Sequence, residues 1–301
     1  MNHSTPGHLP FRWGWYFIGL GAYRPKLDDG KYTLYSYEHL PPLPEERFTG
    51  TFQWLEPQKF FAWDPKTRTF QETLYAPEHH GEGDAQRRAR EQWENHEREL
   101  MGRLPRLVSS AQHLGLSLPD AFLKFMASKE LRDRIPSCTG CYFDLPREII
   151  PCPGCEQGHI IRFLDDQQGN AFWYLYLTPQ GEQCVLASLE ELDDPHPSLE
   201  TILEYTVVCA PSFEAFLYRF WIEDNSTNPP GTQQMFDEEY PFLSKEERHY
   251  LLHYLTYTNK EQLYDHAWKQ QYDQAKQRYD QIRKSLEDEG CLGELDSDNP
   301  F

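Results

Sequence analysis

The stretch HIIRFLDDQQGNAFWYLYLTPQGEQCVLAS, residues 159–188, decides the fold. It holds three runs of strand length, His159 to Leu164, Phe172 to Leu177 and Gln183 to Ser188. Gln168-Gly169-Asn170 and Pro179-Gln180-Gly181 separate them. β-branched and aromatic residues favour a pleated strand, while Gly, Asn and Pro reverse the chain, so the stretch predicts an antiparallel meander. Upstream, Ser117-Leu118-Pro119-Asp120 is a helix-start signal followed by Phe122, Phe125 and Met126 at helical spacing. Downstream, Tyr205 to Cys209 reads as a further strand. Ser212 is placed to cap a helix with Phe213, Phe216, Leu217, Phe220 and Trp221 facing inward. The order of segments is therefore helix, strand meander, strand and final helix.

Four regions surround and include that core. Residues 1–75 read as an N-terminal β-rich subdomain, with strands at Lys31 to Tyr37 and Thr51 to Phe61 and a hairpin turn at Asp64-Pro65-Lys66. Its aromatics Trp13, Trp15, Tyr16, Trp54, Phe60, Phe61 and Trp63 are expected in the core. Residues 84–115 carry an amphipathic helical stripe, Ala89, Trp93, Leu100, Leu104, Leu107, Ala111 and Leu114, which Pro105 is expected to kink or divide. Residues 116–225 hold the helix, the strand meander, the further strand and the final helix. Residues 240–288 are a C-terminal helical region opened by the capping box Ser244 to Glu247. There Trp268, Tyr272, Ala275, Tyr279, Ile282 and Leu286 form a short heptad seam, with the helix near Asp84 as its expected partner and a dimer contact as the alternative.

From about Leu116 to Asn225 the chain resembles the SUKH superfamily, bacterial immunity proteins related to fungal cell-wall-synthesis regulators. The resemblance is carried by Leu118-Pro119, by Tyr142-Phe-Asp-Leu-Pro146, and by Ile161-Arg-Phe-Leu-Asp-Asp-Gln167. Trp173-Tyr-Leu-Tyr-Leu177 and the segment Cys209 to Glu223 complete it. It implies an α+β fold, a twisted antiparallel sheet flanked by helices, in a bacterial protein that neutralises a toxin by direct binding. The N-terminal β region and the C-terminal helices lie outside the pattern.

Charge agrees with a binding role independently of any family. The 301 residues carry 48 acidic and 29 basic side chains, net -19. Such a chain repels phosphates, so nucleic acid is excluded as the expected ligand and a basic protein is favoured. Between His159 and Asn225 there are twelve acidic residues and only two basic ones, Arg162 and Arg219. Asp165, Asp166, Glu190, Glu191, Asp193 and Asp194 are the candidate partner-binding residues, against the plainer reading of a solvated face. No apolar run reaches membrane-helix length and no signal peptide is visible, and cysteine usage suits a reducing compartment, so the expected location is the cytoplasm.

Cys138-Thr-Gly-Cys141 and Cys152-Pro-Gly-Cys155 are the sharpest chemical motif. Two Cys-x-x-Cys pairs supply four soft thiolates, the donor set for one closed, structural Zn²⁺. Inert buried thiols and a redox pair remain open readings of the same spacing. No nucleophile elbow, phosphate-binding loop or dinucleotide fingerprint is present, and Asp165-Asp166 reads as a turn rather than a catalytic pair. His79-His80 reads as loop. A non-catalytic binding protein is therefore the expectation. A scaffold acting through its helical ends, or a hydrolase with a site scattered in sequence, are the alternatives.

Overall fold

The computed structural model describes residues 9–16, 34–35, 37, 40–55, 60–64, 69–73, 84–135, 140–194, 196–227, 249–250, 280–281, 284–285 and 288. Two compact units divide the chain: Met1–Trp13 with Pro44–Trp221, and Gly14–Leu43 with Ile222–Phe301. The expected N-terminal subdomain, residues 1–75, is thus split between them. The reason lies at its start, where Arg12–Trp13 adds to the edge of the main sheet instead of pairing within its own region.

The elements run in the order β1 (Arg12–Trp13), β2 (Trp15–Tyr16), β3 (Leu34–Tyr35), β4 (Phe60–Asp64), β5 (Thr69–Thr73), α1 (Asp84–His113), α2 (Asp120–Ala127) and α3 (Lys129–Arg132). Then follow β6 (Tyr142–Phe143), β7 (Ile150–Pro151), β8 (His159–Asp165), β9 (Phe172–Leu177), β10 (Gln183–Ser188), α4 (Leu199–Tyr205), β11 (Thr206–Ala210) and α5 (Phe213–Thr227). The architecture is α+β. The main sheet has the order β1-β11-β10-β9-β8-β6, with β7 also on β8. It is antiparallel except for β1, which runs parallel to β11, so the sheet is mixed.

Strand β9 is buried along its whole length, as a continuous apolar run requires when both faces of a sheet are covered. On one face Phe163 and Trp173 meet the aromatic wall of α2 and α5, with Phe163 and Phe213 rings 5.1 Å apart and Trp173 and Phe220 rings 5.8 Å apart. On the other, Ile160, Tyr174, Tyr176, Cys184, Leu186 and Val208 join Phe11, Leu192 and Ile202 in a second cluster. Register shifts between Arg162 and Leu164, and between Val185 and Leu186, mark irregularities in the ladder.

Helix α1 runs through Pro105 without dividing. Leu100, Leu104, Leu107 and Ala111 are buried as the stripe predicts, whereas Trp93 and Leu114 at its ends are exposed. At α2 the N-cap position is Pro119, with no side-chain cap, so Ser117 is not the capping residue. Ser212 does cap α5, accepting from the Ala215 amide at 3.2 Å. Residues 51–55 form turns rather than a strand, although Trp54 is buried as expected. β4 and β5 pair as a hairpin with Asp64 opposite Thr69; its turn lies outside the described residues, as do the loop His79-His80, the capping box at Ser244 and all six seam residues from Trp268 to Leu286. In the second unit Glu223 accepts from Trp15 Nε1 at 2.9 Å and from the Tyr250 hydroxyl at 2.6 Å. No described helix is long and apolar enough to cross a membrane.

Candidate functional site

Between Arg162 and Arg219 the chain contains no lysine or arginine. The acids in that interval divide into two groups. Asp165 and Asp166, expected at a partner surface, are only 4% exposed each. They are drawn inward because β8 continues to Asp165, opposite Phe172, and Asp166 closes the following turn. In that turn the Asp166 amide donates to Ala171 O at 3.0 Å, and Asp166 Oδ2 accepts from the Asn170 amide at 3.1 Å.

Arg162 gathers several of the others. Its Nε lies 3.4 Å from Asp165 Oδ1, and its Nη1 pairs with Glu191 and lies 3.4 Å from Asp193 Oδ1. Burial holds the Asp165 carboxyl up at about 6; Arg162 opposes the shift, while Asp144, Asp193 and Glu191 add to it. Burial disfavours the Arg162 charge, but the carboxylates around it outweigh that and raise its pKa. Glu191 and Asp193 therefore hold the loop after β10 to the sheet. Glu190 is half-buried, and its amide donates to Ser188 Oγ at 3.1 Å. Asp194 accepts from the His196 amide at 3.0 Å and pairs with its ring.

The exposed acids continue into α4. Ser198 caps this helix by accepting from the Thr201 amide at 3.2 Å, and Ile202 is its buried anchor. Leu199 and Leu203, four residues apart and so on one side of the helix, are 52% and 37% exposed, and Tyr205 is 37% exposed. Half of the large exposed apolar side chains among the described residues thus sit on one seven-residue helix. Glu200 and Glu204, also four apart, are exposed beside them. The leucines lean over the Cys152–Cys155 turn: a Cβ at Gly154 would stand 3.1 Å from Leu199 Cδ1, 3.7 Å from Leu203 Cδ2 and 3.7 Å from Pro10 Cγ. An apolar strip with an acidic border results. Sequence reasoning passes over it, because leucines at helical spacing are expected to point inward and because α4 is short and follows two prolines.

Among the described cysteines of the two pairs, Cys141 stands apart from Cys152 and Cys155. Cys141 precedes β6, whose Tyr142 sits opposite Asp165, and Cys152 follows β7, whose Pro151 sits opposite His159. These partners are six residues apart on β8, roughly 20 Å along a strand. Cys138 lies outside the described residues. The ten-residue connection does not bring Cys141 to Cys152 and Cys155, because β6 and β7 bind opposite ends of one strand. Among the described residues, no group of three or more His, Cys, Asp or Glu side chains is placed to hold a metal. Cys152 and Cys155 do meet, with sulfurs 3.2 Å apart.

A separate cleft of about 690 Å³ lies among α1, α3 and β6, lined by Trp93, His96, Glu97, Arg132, Tyr142 and Phe143, among others. Its ionic side chains are largely committed to one another: Arg132 to Glu97 and to Met126 O, and Lys129 to Asp133. The His96 ring contacts Phe143 O at 2.9 Å. Compared with family models, curated proteins and solved structures, the chain matches none of them.

Proposed function

We propose that this protein is a non-catalytic, cytoplasmic protein-binding protein that holds a basic partner against α4 and its acidic border. The resemblance of residues 116–225 to the SUKH superfamily gives the reading its specific form, an immunity protein that neutralises a toxin domain. The observation that carries it is the strip of Leu199, Leu203 and Tyr205 exposed beside Glu200 and Glu204. Apolar area held in water on an otherwise well-packed domain marks a contact surface. Burying the exposed parts of three such side chains contributes on the order of 2 kcal/mol. A border of one sign accelerates encounter with the opposite sign. A second copy of the chain would bring a like net charge of -19 and is disfavoured. The test is protection: the product of the adjacent reading frame is expressed with and without this protein, and the purified pair is titrated calorimetrically. Rescue of growth is expected. The double variant Leu199→Ser/Leu203→Ser should keep its thermal midpoint while losing about tenfold or more in affinity, roughly 1.4 kcal/mol. Undiminished affinity would overturn the assignment of the surface, and an innocuous neighbour with no binding would overturn the immunity role.

One observation favours a second reading. Trp93 is 60% exposed at the cleft, and exposed tryptophans anchor contacts. If the partner seats there, Trp93→Ala and not the α4 variant weakens binding.

A further inference from the structure

We propose that Cys152 and Cys155 form a dithiol that exchanges with small-molecule disulfides and closes to an intramolecular disulfide. The turn presents the two sulfurs to each other. The Cys155 amide donates to Cys152 O at 3.1 Å. Pro153 and Gly154 occupy the corner, and Gly154 takes φ +75°, the left-handed position that glycine fills without penalty. Ends of a turn so closed lie within the Cα separation a disulfide spans. The turn is itself anchored, since the Cys152 amide donates to Gly158 O at 2.8 Å and Pro151 pairs with His159. Both thiols are free, with sulfurs 3.2 Å apart.

The two sulfurs are not equivalent. Cys152 is buried in the cluster with Tyr176 and Cys184, while Cys155 is half-buried at its margin. The hydrogen bond they share lowers the Cys155 pKa against the opposing effect of its burial, and the same bond together with burial raises that of Cys152. The order of events follows. The Cys155 thiolate attacks one sulfur of R–S–S–R; that S–S bond breaks and one RS⁻ leaves to take a proton. Cys152 then gives up its proton to solvent and attacks Cys155 Sγ, expelling the second RS⁻, which is protonated in turn. Two electrons pass from the protein to the small disulfide, giving one protein disulfide and two RSH. No helix follows Cys155 directly, so the asymmetry comes from the shared hydrogen bond and burial rather than from a helix N-terminus.

The full-length protein, reduced and freed of reductant, is incubated with oxidised glutathione, and its cysteines are mapped by peptide mass spectrometry. A Cys152–Cys155 disulfide is expected, reversed by a dithiol reductant. The Cys152→Ser variant should stop at a glutathione adduct on Cys155, because the resolving thiol is gone, and Cys155→Ser should show neither product at this turn. If Cys152→Ser fails to fold, Cys152→Ala, checked by circular dichroism, carries the same expectation. Persistence of both thiols in folded wild-type protein under excess glutathione disulfide would overturn the proposal, as would an adduct forming on Cys152 rather than Cys155.

Discussion

The indole N–H of Trp54 donates to Glu214 Oε1 across 3.0 Å, while the other oxygen of the same carboxylate accepts the Gly50 amide at 2.8 Å. One buried acid on α5 therefore ties down the 44–55 loop, whose Phe52 holds φ 58° with its side chain in the core. A left-handed phenylalanine persists only where its surroundings impose it. Glu214→Ala leaves two donors unsatisfied and is expected to cost about 2–3 kcal/mol in denaturant unfolding. Glu214→Gln, which keeps one acceptor, should cost less. Equal stability of Glu214→Ala and wild type would show that the loop is held by its aromatic packing on Tyr218 and Phe125 instead.

Asp165 makes stability depend on pH with an unusual sign. Its folded-state pKa of about 6 lies above the ordinary 3.8, so the folded protein binds the extra proton. Stability therefore falls as pH rises from about 4 through about 6. The groups facing it are Arg162, which opposes the shift, and Asp144, Asp193 and Glu191, which reinforce it. Asp165→Asn removes the titration. Across that window wild type should lose on the order of 2 kcal/mol more than the variant, read as the difference between their urea midpoints at each pH. Parallel curves would mean that Asp165 ionises freely in the folded state.

The sheet was legible because its signal is physical and local. Residues 172–177 contain no polar group in their side chains except two tyrosine hydroxyls and one indole N–H, and a run of that length has one stable use, a strand covered on both faces. The helix α5 was legible for the same reason. What escaped was set by pairing rather than by local pattern. Nothing in Arg12–Trp13 announces a parallel edge partner in Val207–Val208. The spacing of the cysteine pairs could not reveal that β6 and β7 share β8. A register shift interrupts the ladder at Arg162–Leu164, and Asp165 lies in the interior, where the sequence suggests a turn at a partner-facing surface.

Charge reversal separates the two classes of acid around the proposed surface. Glu191 is held by Arg162, so Glu191→Lys sets two cations together and should lower stability as well as association. Glu200 and Glu204 are exposed on α4 and make no ion pair among the described residues. Glu200→Lys/Glu204→Lys should leave the thermal midpoint within a degree or two, because surface changes away from packed contacts cost about 0.5 kcal/mol or less. It should nevertheless slow association with a basic partner by about tenfold at low ionic strength, an effect that fades as salt screens the field. Stopped-flow rates that are unchanged and insensitive to salt would remove steering from the account.

Two glycines distinguish steric from conformational demand. A Cβ added at Gly158 would lie 2.1 Å from Tyr176 Cε2 and 2.6 Å from both Cζ and the hydroxyl oxygen. That ring is 4% exposed and packed against Ile160 and Cys184 in the second core cluster, so it has no room to retreat. Gly158→Ala is accordingly expected to cost about 2–3 kcal/mol, in the range of overpacked cores. Gly169 sits at φ +68°, and a methyl group added there would meet nothing within 4 Å. Gly169→Ala should cost only the left-handed backbone penalty, about 1 kcal/mol. Pairing Gly158→Ala with Tyr176→Val creates the missing space, and the double variant should be more stable than the sum of the two single losses predicts. Strict additivity in guanidinium unfolding would mean that the ring and the Gly158 backbone are not in contact.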